Sequence, residues 1–356
     1  MKILILEGDG IGPEICAATV RVLTRASDAF GLGLEFASMP IGFAAVAKSK
    51  TTFPTETLDA AKQADGTVLG PVSHNDYPPV AQGGVNPSGA LRIGLDLYAN
   101  IRPARTRAGF APPCGKALDL VIVRENTEGF YSDRSMYVGP GEMMPTPDLA
   151  LSFRKITRQG STRIVEAAFA LARREGRKKV TAVHNANVLR ISDGLFLECA
   201  RGVAAKFPDI AYEEKIVDAM AALLVRDASQ FDVIVTTNMF GDILSDQASE
   251  LSGSLGLAAS LNAGDQYGVA QAQHGSAPDI AGKDLANPSS LIGSAAMLLG
   301  WLGQKHAKDN CGRAAAAIEK ALDAAIASPA ERTRDLGGTL GTTAFTEAVI
   351  ARLQKS

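Results

Sequence analysis

Cysteine is scarce in this chain of 356 residues: Cys16, Cys114, Cys199 and Cys311 lie far apart with no paired spacing. That excludes a secreted disulfide framework and a cysteine zinc site, and is the usage expected of a reducing cytoplasm. An excess of either charge is lacking too. The formal net charge is -2 and no polybasic run occurs, so neither nucleic acid nor a membrane surface is an expected partner. The apolar run near residues 291–302 is too short to span a bilayer. The chain starts directly on a strand-like segment, without a basic leader and cleavage site. No internal repeat or low-complexity tract is visible. What remains is a cytoplasmic protein with a small-molecule partner. Its length exceeds that at which single cores usually divide, so two domains are expected.

Short β-branched runs at residues 2–6, 66–69, 118–123, 179–184 and 231–237 alternate with alanine-rich segments of helical spacing such as 162–175 and 195–207. This is an α/β pattern. Residues 77–89, rich in Pro and Gly, read as a loop near a domain edge, and 102–113 as a second hinge candidate. Near the C-terminus, 335–343 reads as a glycine-rich loop before a final helix.

The first strand ends in EGDGIGPEI, which has the glycines of a phosphate-binding turn but places Pro13 where the dinucleotide fingerprint wants its last glycine. A tight turn over 8–12 and a helix from Pro13 follow, without a Rossmann site. The strongest chemical signal is NMFGDILSD. A helix opened by Gly241 puts Asp242 and Asp246 one turn apart on one face, where two carboxylates repel unless a cation lies between them. Oxygen-only ligands favour magnesium or manganese; helix capping by Asp242 with a solvated Asp246 is the alternative. Arg92, Arg102 and Arg124 lie near predicted strand ends, and arginine grips carboxylates bidentately. Together with a paired-aspartate site they suit a substrate carrying two or more carboxylates. Ordinary surface salt bridging is the better explanation of any one of them taken alone. Segment 273–288 has no Gly-Lys-Ser/Thr phosphate loop; taken alone it reads as a loop with a capping Asp, yet Asp279 there can accept both hydroxyls of a ribose and repel a 2′-phosphate, which favours NAD over NADP.

Taken in order, GDGIGPE, LDLYANIRP, VRENTEGFY, VHNANVLRISDGLF, VDAMA, NMFGDILSD, HGSAPDIAGK and DLGGT make the chain resemble the β-decarboxylating dehydrogenases (isocitrate, homoisocitrate and 3-isopropylmalate dehydrogenases) over nearly its whole length. The resemblance implies a two-domain α/β fold with a non-Rossmann dinucleotide site. Residues 1–101 and 255–356 would form a discontinuous domain, and 102–254 a central one that dimerises. It implies that His274, Gly275, Ser276, Ala277, Asp279 and Asn287 hold the adenosine of NAD while Gly10, Ile11 and Gly12 line the nicotinamide end. Arg92, Arg102 and Arg124 would clamp the substrate carboxylates, and Tyr131 would protonate the enol after carbon dioxide leaves. Asp242 and Asp246 would bind Mg2+ or Mn2+ with Asp218 from a second subunit, which makes the protein a homodimer with shared active sites.

One position departs from that pattern. The family places Lys where this chain has Asn185, and an amide cannot act as a general base, a role typically worth about 10² to 10⁴ in rate. Retained but altered catalysis is expected because the other groups are intact, with His184 or a water taking the proton. An impaired or regulatory relative is the alternative. Asn86 and Ser88, ahead of Arg92, make a small polar pocket suited to a tricarboxylate such as isocitrate or homoisocitrate. The alternatives are 3-isopropylmalate, D-malate or tartrate. Segment 69–79 also departs from the family pattern.

Overall fold

In the computed structural model, residues 1–131, 136 and 141–353 are described. Strands occupy Lys2–Leu6 (β1), Glu35–Ser38 (β2), Gly66–Leu69 (β3), Ala99–Arg105 (β4), Asp119–Glu125 (β5) and Glu142–Thr146 (β6). They continue with Leu149–Ser152 (β7), Lys179–His184 (β8), Ala211–Ile216 (β9), Val233–Thr236 (β10), Leu261–Ala263 (β11) and Gly268–Gln271 (β12). The helices that matter for the site begin with Gly12–Phe30 (α1), Gly42–Ser49 (α2), Thr55–Gln63 (α3), Pro87–Gly94 (α4), Arg158–Glu175 (α5) and Ser192–Ala204 (α6). Val217–Asp227 (α7), Asn238–Ser252 (α8), Ser289–Lys305 (α9), Asp309–Ala327 (α10) and Thr342–Arg352 (α11) follow. Among the described residues, no helix is long and apolar enough to cross a membrane.

The chain divides into two compact units. The first comprises Met1–Leu95, Arg107–Ala111 and Gly253–Ser356, the second Asp96–Thr106 and Pro112–Ser252. In the first, the strands run in the order β2-β1-β3-β12-β11, parallel except for the β11–β12 pair. β1 after its exposed Lys2, and all of β3, are buried, and both are largely apolar, as parallel strands covered on both faces are. Helices α1, α9, α10 and α11 supply Ile15, Leu23, Leu291, Leu299, Ile318 and Phe345 to one apolar core. The turn after β1 explains its glycines physically: Gly10 has φ +58°, and a Cβ there would lie 1.9 Å from the carbonyl oxygen of Ser276. Glycine is required because two loops touch, and Ile11 N donates to that same carbonyl at 2.8 Å.

In the second unit the order is β4-β5-β10-β8-β9, with only the β4–β5 pair antiparallel. Helix α5 lays Ile164, Val165, Ala168 and Phe169 against the sheet, and α6 adds Phe196 and Ala200. Phe169 is fully buried, with its ring centroid 5.0 Å from that of Phe207. Strands β6 and β7 form a separate ribbon, exposed at every residue.

Several elements differ from the sequence reading. Helix α4 starts at Pro87, inside the expected loop 77–89, because Asn86 caps it and Pro at the first position tolerates the missing N–H. Arg102, expected at a hinge near a strand end, lies within β4, and Arg92 lies on α4. Helix α8 begins at Asn238, not Gly241. Gly241 is instead a contact glycine, since a Cβ there would sit 2.6 Å from Cγ of Arg124.

Replacing Phe169 with alanine removes the ring on which α5 packs and should destabilise the second unit by about 3–5 kcal/mol. Denaturant unfolding followed by circular dichroism checks this; a loss below about 1 kcal/mol would show that the site collapses around the deletion.

Candidate active site

The second unit gathers a dense charge cluster where β4, β5 and α8 meet. Arg102 and Arg124 are both buried. Arg102 Nη1 reaches Oδ1 of Asp242 at 3.1 Å and Oδ1 of Asp246 at 3.3 Å, and donates to Ser245 Oγ at 2.7 Å. Arg124 donates through Nε (2.9 Å) and Nη2 (2.6 Å) to Oδ1 of Asn238, while its Nη1 pairs with Asp242. The repulsion expected between Asp242 and Asp246 is therefore relieved by a guanidinium lying between them. Burial, then the neighbouring Arg102 charge, lower the Arg124 pKa, and Asp242 opposes them. The Asp246 pKa is raised by partial burial, with Arg102 opposing and Asp242 reinforcing. Tyr131 Oη donates to Asp242 Oδ2 at 3.4 Å, and the Arg124 guanidinium lies 5.9 Å from the Tyr131 ring centroid. One carboxylate thus meets two cations and a phenol.

Two predicted residues stand apart from this cluster. Asp218 is exposed at the start of α7 and accepts from Ala219 N at 2.7 Å. Asn185 follows β8; its N–H donates to Asp193 Oδ2 at 2.5 Å, and its half-buried carboxamide has no hydrogen-bond partner among the described residues. His184 Nδ1 accepts from Ala186 N at 3.0 Å, so that nitrogen carries no proton. No group of three or more His, Cys, Asp or Glu side chains converges as a metal site among the described residues. The oxygen-only donors Asp242 and Asp246, half-exposed and one turn apart, fit a hard divalent cation that takes further ligands from elsewhere.

The first unit holds the predicted cofactor residues. Gly10, Ile11 and Gly12 form the turn that touches Ser276, and Ser276 Oγ bonds to Ser73 Oγ at 2.7 Å. Ser73 N in turn donates to the buried Asp9 at 3.0 Å, as does Phe43 N at 2.9 Å, so segment 69–79 buttresses the turn. Ala277 adopts φ +37° and Asp279 is exposed beside it, with Gly275 also exposed. Asn287 donates from Nδ2 to Asp335 at 2.9 Å and accepts from Ser289 N at 2.9 Å. The His274 ring bonds through Nδ1 to the Gly275 carbonyl at 3.0 Å; a carbonyl only accepts, so Nδ1 carries the proton. Its Nε2 is buried without a partner, and burial lowers the ring's pKa, leaving a neutral ring with an unused acceptor. That orphaned acceptor fits an adenine amino group, which brings a donor. Asn86 Oδ1 caps α4 through Ser88 N (3.0 Å) and Gly89 N (3.3 Å), and Ser88 Oγ donates to Gln271 at 3.0 Å. Arg92, on the same helix, is half-buried.

Sequence reasoning missed Asn238 and Ser245, which hold the charged groups in place, and the buried Arg154–Asp193 pair. Arg154 sits in an undistinguished stretch, LSFRK, and Asp193 looks like any acid in a first helical turn. Only their burial singles them out.

The chain matches the isocitrate/isopropylmalate dehydrogenase family over residues 2–349. It is 43% identical over 355 residues to the isocitrate/homoisocitrate dehydrogenase of Thermus thermophilus, covering 99% of this chain and 98% of that one. The 3-isopropylmalate dehydrogenase of Methanothermobacter thermautotrophicus is 40% identical, with 99% of each chain covered. An isocitrate dehydrogenase [NAD] catalytic subunit of Arabidopsis thaliana, named as mitochondrial, is 39% identical over 98% of this chain and 87% of its own. Among solved structures, isocitrate dehydrogenase from Methylococcus capsulatus superposes with a TM-score of 0.87 at 40% identity, covering 100% of this chain and 99% of the other.

Burial lowers the His184 pKa from its ordinary 6.5, with Glu214 and Asp193 opposing. A group of this kind takes up protons more readily when unfolded, so its contribution to stability is complete above pH 6.5 and is lost as pH falls below that value. The denaturation midpoint should therefore drop between pH 7 and pH 5 more steeply for the wild type than for His184→Asn, whose carbonyl can still accept from Ala186 N. Parallel profiles would show that His184 is not the group responsible.

Proposed function

The chain belongs to the isocitrate/isopropylmalate dehydrogenase family, and from that premise we propose that it oxidatively decarboxylates a 3-substituted (2R)-malate with NAD and a divalent cation. The observation that carries this reading is the set of two buried arginines and one phenol converging on Asp242. Arg102 and Arg124, held flat by Ser245 and Asn238, present guanidinium edges suited to bidentate carboxylate binding. Arg92 adds a third such group.

Asp242 and Asp246 would hold Mg2+ or Mn2+, with the partner's Asp218 as a further ligand, and the 274–287 loop would hold NAD, with Asp279 on the ribose. When bound, the cation acidifies the substrate alcohol and stabilises developing negative charge on its oxygen, and NAD accepts the hydride. The residues do the rest. The arginines fix the carboxylates and orient the carbon that loses carbon dioxide, and Tyr131 delivers a proton to that carbon. The hydroxyl proton has no lysine to receive it at position 185; it passes to water, because the neutral His184 ring carries its proton on Nε2 and its Nδ1 lone pair is already taken by Ala186 N, and the Asn185 amide is limited to hydrogen bonding. The small polar side chains Asn86 and Ser88 at the start of α4 favour a third carboxylate over an alkyl group, hence isocitrate or homoisocitrate.

The exposed β6–β7 ribbon supports a homodimer. Met143, Met144, Leu149 and Leu151 are 43–66% exposed on it, and a lone two-stranded ribbon is marginal in water without something to pack on.

NADH formation with Mn2+ should be highest on D-isocitrate or homoisocitrate. A larger kcat/KM for 3-isopropylmalate than for the polar acids would reverse the substrate assignment, and silence on all of them, with D-malate and tartrate included, would overturn the function. Installing lysine by Asn185→Lys separates the cases further. An unimproved rate marks a specialised site, whereas a gain of about 10² or more marks a disabled one. Asp242→Asn should weaken Mn2+ binding, read by electron paramagnetic resonance, whatever the rate. On the ribbon, Met144→Glu with Leu151→Glu should shift the molar mass in light scattering to that of one chain.

A further inference from the structure

Beside the charge cluster, and outside everything assigned above, the second unit contains another buried ion pair. Asp193, at the start of α6, has no exposed side-chain surface, and the Arg154 side chain is 8% exposed. The two are paired through Arg154 Nη1 and Asp193 Oδ1. Each partner also carries a second connection. The other oxygen of Asp193 accepts the Asn185 N–H at 2.5 Å, and Asp193 N donates to the Leu189 carbonyl at 3.0 Å, which closes the 185–193 turn. Arg154 Nη2 donates to Thr237 Oγ1 at 2.9 Å, just past the end of β10, and Nη1 donates to Ser192 Oγ at 3.0 Å. The guanidinium also lies 5.9 Å from the ring centroid of Phe130 and 5.3 Å from that of Phe240.

The sequence neighbours of these partners give the pair its meaning. Phe130 precedes Tyr131, Asn185 is held directly, Thr237 precedes Asn238 (the support of Arg124), and Phe240 is two residues before Asp242. This one buried ion pair therefore touches every segment that carries the proton donor, the position of the missing lysine and the metal-binding carboxylate.

We propose that Arg154 and Asp193 are positioning residues that set the placement of Tyr131, Asn185 and Asp242 for the reaction. Neither reaches a reacting atom; they act through the segments they bind. The chemistry requires two features. A planar guanidinium can bond Asp193 and Thr237 from different nitrogens while its faces meet aromatic rings, which an ammonium cannot do. A carboxylate can accept from Arg154 on one oxygen and from a backbone amide on the other. A pair used only for stability would be replaceable by apolar groups, whereas one that sets geometry is not, since small displacements of reacting groups are costly in rate.

This inference rests on the functional reading above for its kinetic arm only. The test compares the full-length wild type with R154K, D193N and the doubly neutral R154M/D193N, the last leaving no lone buried charge. Two readouts are taken: steady-state kinetics on the best substrate, and amide hydrogen exchange by mass spectrometry. The expected result is kcat lowered by at least about tenfold in R154K with KM within about twofold. Exchange should quicken selectively in peptides covering 129–131, 184–191 and 236–240, in R154K and again in the double variant. Unchanged kcat, or unchanged exchange over 184–191, would overturn the proposal. So would exchange that quickens uniformly across the second unit, the signature of a purely structural pair. A wild type inactive on every substrate would sink the functional reading instead, and the exchange pattern alone would then decide on the pair.

Discussion

Like charges one helical turn apart are the constraint around which the second unit is organised. Asp242 and Asp246 share a face of α8, and nothing in the helix itself relieves their repulsion. The relief comes from β4 and β5, whose Arg102 and Arg124 are buried at the price of leaving water. Each guanidinium then needs its remaining donors satisfied. Ser245 and Asn238, both on α8, do this, so the helix supplies both the anions and the neutral acceptors that hold their counterions. Gly241 belongs to the same logic: Arg124 lies so close to α8 that only a glycine fits opposite it. A binding site for carboxylates and cations is thus prepared by the protein's own carboxylates and cations.

Much of this was legible in the chain. The strand at 2–6, the paired aspartates, the arginines and the non-Rossmann turn could all be read from local rules, because periodicity, proline position and glycine spacing act within a few residues. The failures have a common cause. Gly241 has the local look of a helix opener, but its role is to admit Arg124, more than a hundred positions earlier in sequence. Residues 77–89 look like loop because Pro and Gly dominate there, although Asn86 and Pro87 carry the ordinary signals of a helix start. Arg154 and Asp193 gave no local signal, since what distinguishes them is burial against β10, α6 and α8. Non-local contact is the information a single sequence conceals best.

Asn185 gains a clearer sense from its surroundings. Its backbone is held tightly by Asp193 while its side chain is uncommitted, so the turn keeps its geometry though the residue on it has changed. The buried pair beneath the turn is complete, and removing either partner alone would leave an uncompensated buried charge, so the backbone at 185 is held whatever side chain it carries.

The discontinuity of the first unit has a consequence for synthesis. The chain of the second unit, residues 96–252 apart from a short excursion, is complete once residue 252 has left the ribosome. That of the first unit is not. One edge of β3 pairs with β12, so the nascent N-terminal segment must carry an unpaired strand edge, which the fold buries completely, until residues 268–271 are made. Such an edge invites pairing with other chains. The interval between making β3 and making β12 is therefore a window in which that edge is open to mispairing, and slow translation of the intervening residues would lengthen it.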